Sequence, residues 1–181
     1  MKLKYSLDEE DFLIHQLYMA SKSERIQKKR MRNKWIVPAI YFVFGLFLLK
    51  DSMNTLGSLF ILFAIFWVFL FPVWERKHYR KHYLDFIQDN YSERVGKTNT
   101  LEFTDESILS QTGNSDSKVG LSEIKGIIEL RECIFVHLKN SSSYIIPKES
   151  LTNVDEVKHY LEDLSKNLLI KYTKELDWEW K

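Results

Sequence analysis

Hydrophobic and polar positions change their period three times along this chain. Leu3, Tyr5 and Leu7 alternate with Lys2, Lys4 and Ser6, which predicts a short strand. Apolar positions then recur at three and four residues, with Leu13, Leu17 and Ala20 along one side and Ile14, Tyr18 and Ser21 beside them. Ser6 and Glu9 stand at capping-box spacing, and Asp8, Glu9, Glu10 and Asp11 favour a helix start through the macrodipole. This helix turns basic after Ser21 and is expected to run on into the next segment. There the period disappears. Residues 35–49 and 55–74 carry no charge, and only Lys50-Asp51-Ser52-Met53-Asn54 lies between them.

A helix rises about 1.5 Å per residue, and a bilayer core of about 30 Å takes roughly 20 residues. The second run meets that length. The first is short and is expected to borrow from its flanks, with Lys50 and Asp51 at the outer head groups. Residues 42–49 and 60–71 are apolar on every face, whereas a soluble helix keeps a wet stripe. Neither run reads as a signal peptide, because the first begins behind a long charged segment. A two-helix transmembrane hairpin over 35–74 is therefore predicted. Helical spacing resumes at Tyr79, Tyr83, Phe86 and Ile87, and this helix is expected to end near 90–96.

From Lys97 the period is two. Strands are predicted near 99–104, 107–112, 118–121, 126–131, 133–138 and 143–147. Gly113-Asn114-Ser115-Asp116 and Asn140-Ser141-Ser142 are turn signals, and Arg131-Glu132 gives a tight reversal. Asn153 is a good N-cap with Glu156 three residues on, opening a last helix whose stripe is Val154, Val157, Leu161, Leu164 and Leu168. The predicted class is α+β: a transmembrane hairpin plus a small antiparallel β domain closed by a C-terminal helix. The organisation is 1–34, an N-terminal strand and basic helix; 35–74, the hairpin; 75–96, a second juxtamembrane helix; and 97–181, the β domain.

Three stretches sharpen this: Leu101-Glu102-Phe103-Thr104-Asp105-Glu106-Ser107-Ile108, Leu121-Ser122-Glu123-Ile124-Lys125-Gly126-Ile127-Ile128-Glu129 and Tyr144-Ile145-Ile146-Pro147-Lys148. In this order of elements the chain resembles the YcxB-like family of bacterial membrane proteins over nearly its whole length. Leu121 stands where that family tends to carry an aromatic. The resemblance implies a pleckstrin-homology-like (PH-like) fold, a small bent barrel closed by a C-terminal helix, and it brings no active site. Such a barrel takes seven strands and six follow Lys97, so the strand at residues 2–7 is expected to be the seventh.

Charge fixes an orientation. The whole chain has net charge +1, but residues 93–181 hold 12 Lys and Arg against 16 Asp and Glu, a net of −4. The basic excess flanks the spans: Lys22, Arg25, Lys28, Lys29, Arg30, Arg32 and Lys34 before, and Arg76, Lys77, Arg80 and Lys81 after. Positive flanks stay inside, which places both termini in the cytoplasm and the chain in the cytoplasmic membrane. Trp35 and Trp74, with Lys28, Lys29, Arg30, Arg76 and Lys77, are the expected membrane-interface anchors. Pro38 and Pro72 are expected near the span ends, where a lost backbone hydrogen bond is easiest to re-satisfy.

Reaction chemistry is sparse. His78 and His82 share a helix face, but Tyr79-Arg80-Lys81 lies between them where a metalloprotease carries Glu, and the Arg and Lys repel a cation. No Gly-x-Ser-x-Gly elbow or phosphate-cradling loop is present. The first β turn, Thr104-Asp105-Glu106, is acidic, so Lys118 and Lys125 alone make a poor site for a phosphoinositide head group. Cys133, the single cysteine, reads as a buried small residue. No catalytic residue, metal or cofactor is therefore assigned, and the chain is read as non-enzymatic. Trp178 and Trp180 either dock on the domain, rest at the lipid interface, or anchor a partner. The partners expected are the lipid bilayer and an unidentified membrane or cytosolic protein, with a homo-oligomer left open; nucleic acid is excluded by the acidic domain. The leading expectation is a membrane-anchored interaction or scaffold module. The alternative is an oligomeric transport or channel protein, in which Gly45, Gly57 and Ser58 permit close helix contacts. Spans without an ionisable residue argue against an ion path.

Overall fold

The computed structural model describes residues 1–113 and 115–181. Asn114, at the centre of the turn expected at 113–116, lies outside the described residues. The order of elements is β1 (Lys2–Ser6), α1 (Glu9–Lys22), α2 (Glu24–Lys50), α3 (Asn54–Tyr91), β2 (Thr98–Phe103), β3 (Ser107–Thr112), β4 (Ser115–Gly120), β5 (Ile124–Glu129), β6 (Cys133–Leu138), β7 (Ser143–Pro147), α4 (Val154–Asn167) and β8 (Lys171–Lys174). The architecture is α+β, and the chain divides into two units. One comprises Met1–His15 and Leu84–Glu179, the other Gln16–Tyr83 and Trp180–Lys181.

The first unit carries two four-stranded sheets. One has the order β1-β2-β3-β4, the other β7-β6-β5-β8. The N-terminal strand does join the later ones: β1 lies antiparallel to β2 with Leu3 opposite Leu101 and Tyr5 opposite Asn99. Its alternation is physical, because Leu3 and Tyr5 are buried while Lys2 and Lys4 face out. The sheets do not close on each other: no strand of one pairs with a strand of the other among the described residues. An eighth strand also appears. After α4 the chain returns as β8, which pairs parallel to β5 with Tyr172 opposite Ile127, so the second sheet is not purely antiparallel.

β6 is buried along almost its whole length, from Cys133 through Val136. A strand covered on both faces reads as a continuous apolar run rather than an alternating one. The first half of α1 belongs to this core: the His15 ring meets Phe135 edge-on with centroids 5.0 Å apart. α4 packs on β5 and β8 and buries Val157, Leu161 and Leu164. Each such leucine contributes about 1.5–3 kcal/mol when taken out of water. Asn153 caps α4 as expected: its Oδ1 accepts from the Glu156 amide at 3.2 Å. The start of α1 differs. Asp8, not Ser6, is the cap, and it exchanges reciprocal bonds with Asp11 at 2.8 and 3.0 Å.

The second unit is an antiparallel helical hairpin. α1 does not run on into α2. Ser23 leaves the helix with extended dihedrals and its hydroxyl accepts from the Ile26 amide at 3.5 Å, so it caps α2. The chain then runs unbroken through Pro38 in α2 and Pro72 in α3, so both prolines lie inside helices that extend beyond the apolar runs. The reversal uses Asp51–Met53, where Ser52 takes a left-handed conformation (φ 65°) and the Met53 amide donates to Leu48 O at 3.0 Å.

The hairpin closes on its smallest residues. A Cβ on Gly45 would stand 2.9 Å from the Gly57 carbonyl oxygen, and one on Gly57 would stand 2.8 Å from the Gly45 oxygen. The backbones therefore touch where only hydrogen fits, as in helix pairs packed within lipid. Tyr41 packs on Phe60 and Phe63, with centroids 5.7 and 4.9 Å away. The large side chains point outward instead: Phe69 is 73% exposed and Val43 65%.

Candidate functional site

The hairpin's contacts set its register. Gly45 faces Gly57 and Ile61, Tyr41 faces Phe63, and Arg30 faces Glu75. Counting from these, residue 32 lies level with about 73 and residue 34 with about 71. This register locates the shortfall in the first apolar run. It falls at the basic end, where Arg32 and Lys34 stand opposite the uncharged 70–73 stretch, rather than at Lys50 and Asp51. Both helices are long and apolar enough to cross a membrane by length and composition.

A compact constellation closes the basic end. The Arg30 Nε donates to Glu75 Oε2 at 3.0 Å, and Glu75 is buried. The Arg30 guanidinium lies 4.5 Å from the Trp180 ring centroid and 5.7 Å from that of Tyr79, and its Nη2 donates to the backbone oxygen of Lys181. Tyr79 and Trp180 meet at 5.6 Å. An arginine so placed pairs its charge once and spends its faces on aromatic rings, which lysine cannot reproduce. Burial, and then the negative charge of Glu75, push the Tyr79 hydroxyl above the ordinary phenol range. Trp180 is thus held by its own chain, whereas Trp178 is half-buried.

The other anchor candidates remain outward. Trp35 is 53% exposed and Trp74 57%. Trp74 stacks on His78 with centroids 5.0 Å apart and planes 10° from parallel. Lys28 pairs with Glu24 at 3.2 Å; Lys29, Arg76 and Lys77 are exposed. Two features escaped the sequence reading, the Arg30–Glu75 pair and the Trp180 seat. A signal for the first exists: Glu24, Asp51 and Glu75 are the only acidic residues between Lys22 and Tyr83, and a lone carboxylate in a basic collar calls for a partner.

The first unit holds its own polar cluster. Glu129, at the end of β5, is buried and accepts from Lys148 Nζ at 2.8 Å and Tyr172 Oη at 3.0 Å, with Lys158 Nζ at 3.2 Å. Burial pushes its carboxyl up, but the hydrogen bonds from Lys148, Lys158 and Tyr172 prevail and hold it below the ordinary range. The charge is neutralised and its oxygens are occupied, so the cluster ties β5, β8 and α4 together. Nearby, burial and then the charge of His137 lower the His15 imidazole to about 4, and its Nε2 has no partner. Burial raises the Cys133 thiol above the usual range, and its side chain lies buried within β6. Among the described residues no three His, Cys, Asp or Glu stand together as a metal site.

The model of a family described as YcxB-like protein matches residues 103–161, from the end of β2 into α4. The chain is similar to that family over this segment, which lies within the first unit and is shorter than the resemblance noted from the element order. No curated protein and no solved structure matches the chain.

Proposed function

We propose that this protein is a non-enzymatic interaction module held at the cytoplasmic face of the cytoplasmic membrane. In this reading α2 and α3 cross the bilayer as a hairpin, both termini are cytoplasmic, and the β unit takes the PH-like arrangement with α4 as its closing helix. One observation carries the reading: the hairpin turns its largest apolar side chains outward and its glycines inward, the reverse of a water-soluble helix pair. Basic flanks at one end and a nearly neutral reversal at the other support the orientation. The similarity over 103–161 supports placing the β unit with the YcxB-like proteins.

The β unit recruits a protein partner at the membrane surface. The test is photo-crosslinking in intact cells from a reactive residue at an exposed position such as Lys118. A discrete adduct that recurs between preparations, and is lost when Leu161→Ala loosens the β unit, supports the module. Cross-links confined to lipid and abundant bystanders count against it.

A further inference from the structure

We propose that the basic end of the hairpin binds anionic phospholipid head groups, with Arg32 and Lys34 of α2 and Arg76 and Lys77 of α3 meeting the phosphates. The inference rests on the reading of α2 and α3 as a membrane hairpin and names the lipid that this hairpin prefers.

Register supplies the first reason. The Arg30–Glu75 bond at 3.0 Å fixes the level of the two helices, and Arg32 and Lys34 lie on the apolar side of it, opposite residues 70–73. A cation at that depth cannot rest among acyl chains; its long side chain reaches back toward the phosphate layer. Charge supplies the second. Between Lys22 and Tyr83 there are 12 Lys and Arg against three acids. Glu75 is taken by Arg30 and Glu24 by Lys28, while Asp51 caps the other end of the hairpin. Arg32, Lys34, Arg76 and Lys77 thus form no ion pair among the described residues. Within the hairpin no acid is left to neutralise this end, so its counter-charge must come from outside the hairpin.

The third reason selects lipid over a soluble anion. Trp35 and Trp74 flank the four cations and stay more than half exposed, and the Lys34 ammonium lies 5.7 Å from the Trp35 ring centroid. Exposed indoles of this kind sit at the head-group level, where a phosphate arrives tethered to an acyl chain. A free anion would gain nothing from them.

The experiment uses the full chain in phosphatidylcholine vesicles containing trace spin-labelled phosphatidylglycerol or spin-labelled phosphatidylcholine. The motionally restricted fraction of each gives their relative association constants. Phosphatidylglycerol is expected to be favoured about threefold or more at low salt, with the ratio falling toward one at high salt. The Arg32→Gln/Lys34→Gln/Arg76→Gln/Lys77→Gln variant should abolish the preference. Should that variant fail to insert, Arg76→Gln/Lys77→Gln keeps the α2 flank and should show an intermediate ratio. Equal association of both lipids with the wild type, in protein that floats with vesicles and resists alkaline extraction, overturns the proposal and leaves the hairpin intact. A preference that survives the substitutions also overturns it. Extraction of the wild type by alkali removes the hairpin reading, and this inference falls with it.

Discussion

Phe135 and Phe69 are the same side chain in opposite roles. Phe135 is wholly buried at the centre of β6, while Phe69 on α3 is 73% exposed. Around Phe135 the β unit follows the rule for water: large apolar groups inside, charges outside, and a deeply buried carboxylate, Glu129, met by two lysines and a tyrosine. Around Phe69 the rule is reversed. The helices touch through Gly45 and Gly57, the small Ala64 is buried, and Phe, Leu and Ile point away. A protein places its apolar surface against whichever medium welcomes it. The two units therefore place their apolar side chains in opposite ways, and the contrast separates what a substitution should do in each unit.

In the β unit, loss of apolar volume should hurt most. Leu161 on α4 is completely buried, and Leu161→Ala should cost about 2–5 kcal/mol. Hydrogen exchange of the β5 and β6 amides in the full-length protein should show this loss. Glu162→Ala removes only a surface partner of Lys174 and should leave exchange nearly unchanged. If the two variants behave alike, α4 is not core.

In the hairpin, gain of volume should hurt most. Gly45→Leu drives a side chain into Ile61 and the Gly57 backbone, and overpacking of this kind typically costs about 1–3 kcal/mol. A short bifunctional thiol reagent joining cysteines at Tyr41 and Phe63, whose rings lie 4.9 Å apart, reads helix proximity. Cross-linking should fall severalfold in Gly45→Leu while β5 and β6 exchange stays unchanged. Unaltered cross-linking would mean the glycines do not govern the approach.

A third effect, comparable in size to the second, acts on the β unit through pH. Unfolded His15 takes its proton near pH 6.5 and the folded residue near 4, because burial and His137 disfavour the charge. Between those values the unfolded state holds more protons, so stability falls as pH falls. Wild type should lose about 2–3 kcal/mol relative to His15→Gln from pH 7 to pH 4. Asp11 acts in the opposite sense, since burial raises its folded carboxyl to about 6, but it is common to both proteins and cancels. Exchange of the β5 and β6 amides, read at each pH, should diverge between the two proteins only below about 6.5; parallel curves would remove His15 from the account.

Legibility followed the length over which each pattern repeats. Two uninterrupted apolar runs announced the hairpin helices, and β3, β6 and β7 lie where alternation or a continuous apolar run placed them. The α4 stripe repeats over nearly four turns and was equally plain. β8 was not, because Lys171–Lys174 is only four residues and its parallel pairing to β5 is decided across α4. The break at Ser23 was missed because one hydroxyl ends a helix whose flanks are both helix-forming. The Arg30–Glu75 pair joins positions 45 residues apart, and the Trp180 seat joins positions 150 apart, so neither leaves a local pattern. Long-range polar contacts are settled by packing, and only their odd ingredients, a lone glutamate and a terminal indole, show beforehand.

A hairpin that crosses a membrane and returns leaves its reversal on one side and the β unit on the other. Thiol labelling in intact cells tests it with one cysteine at Asn54, at the start of α3, and another at Ser115, at the start of β4. The native Cys133 is buried and gives little background. An impermeant reagent is expected to label the Asn54 site from outside and to reach the Ser115 site only after the cells are opened. Labelling of Ser115 but not Asn54 in intact cells, or equal protection of both in cells and equal exposure in a soluble fraction, would contradict it.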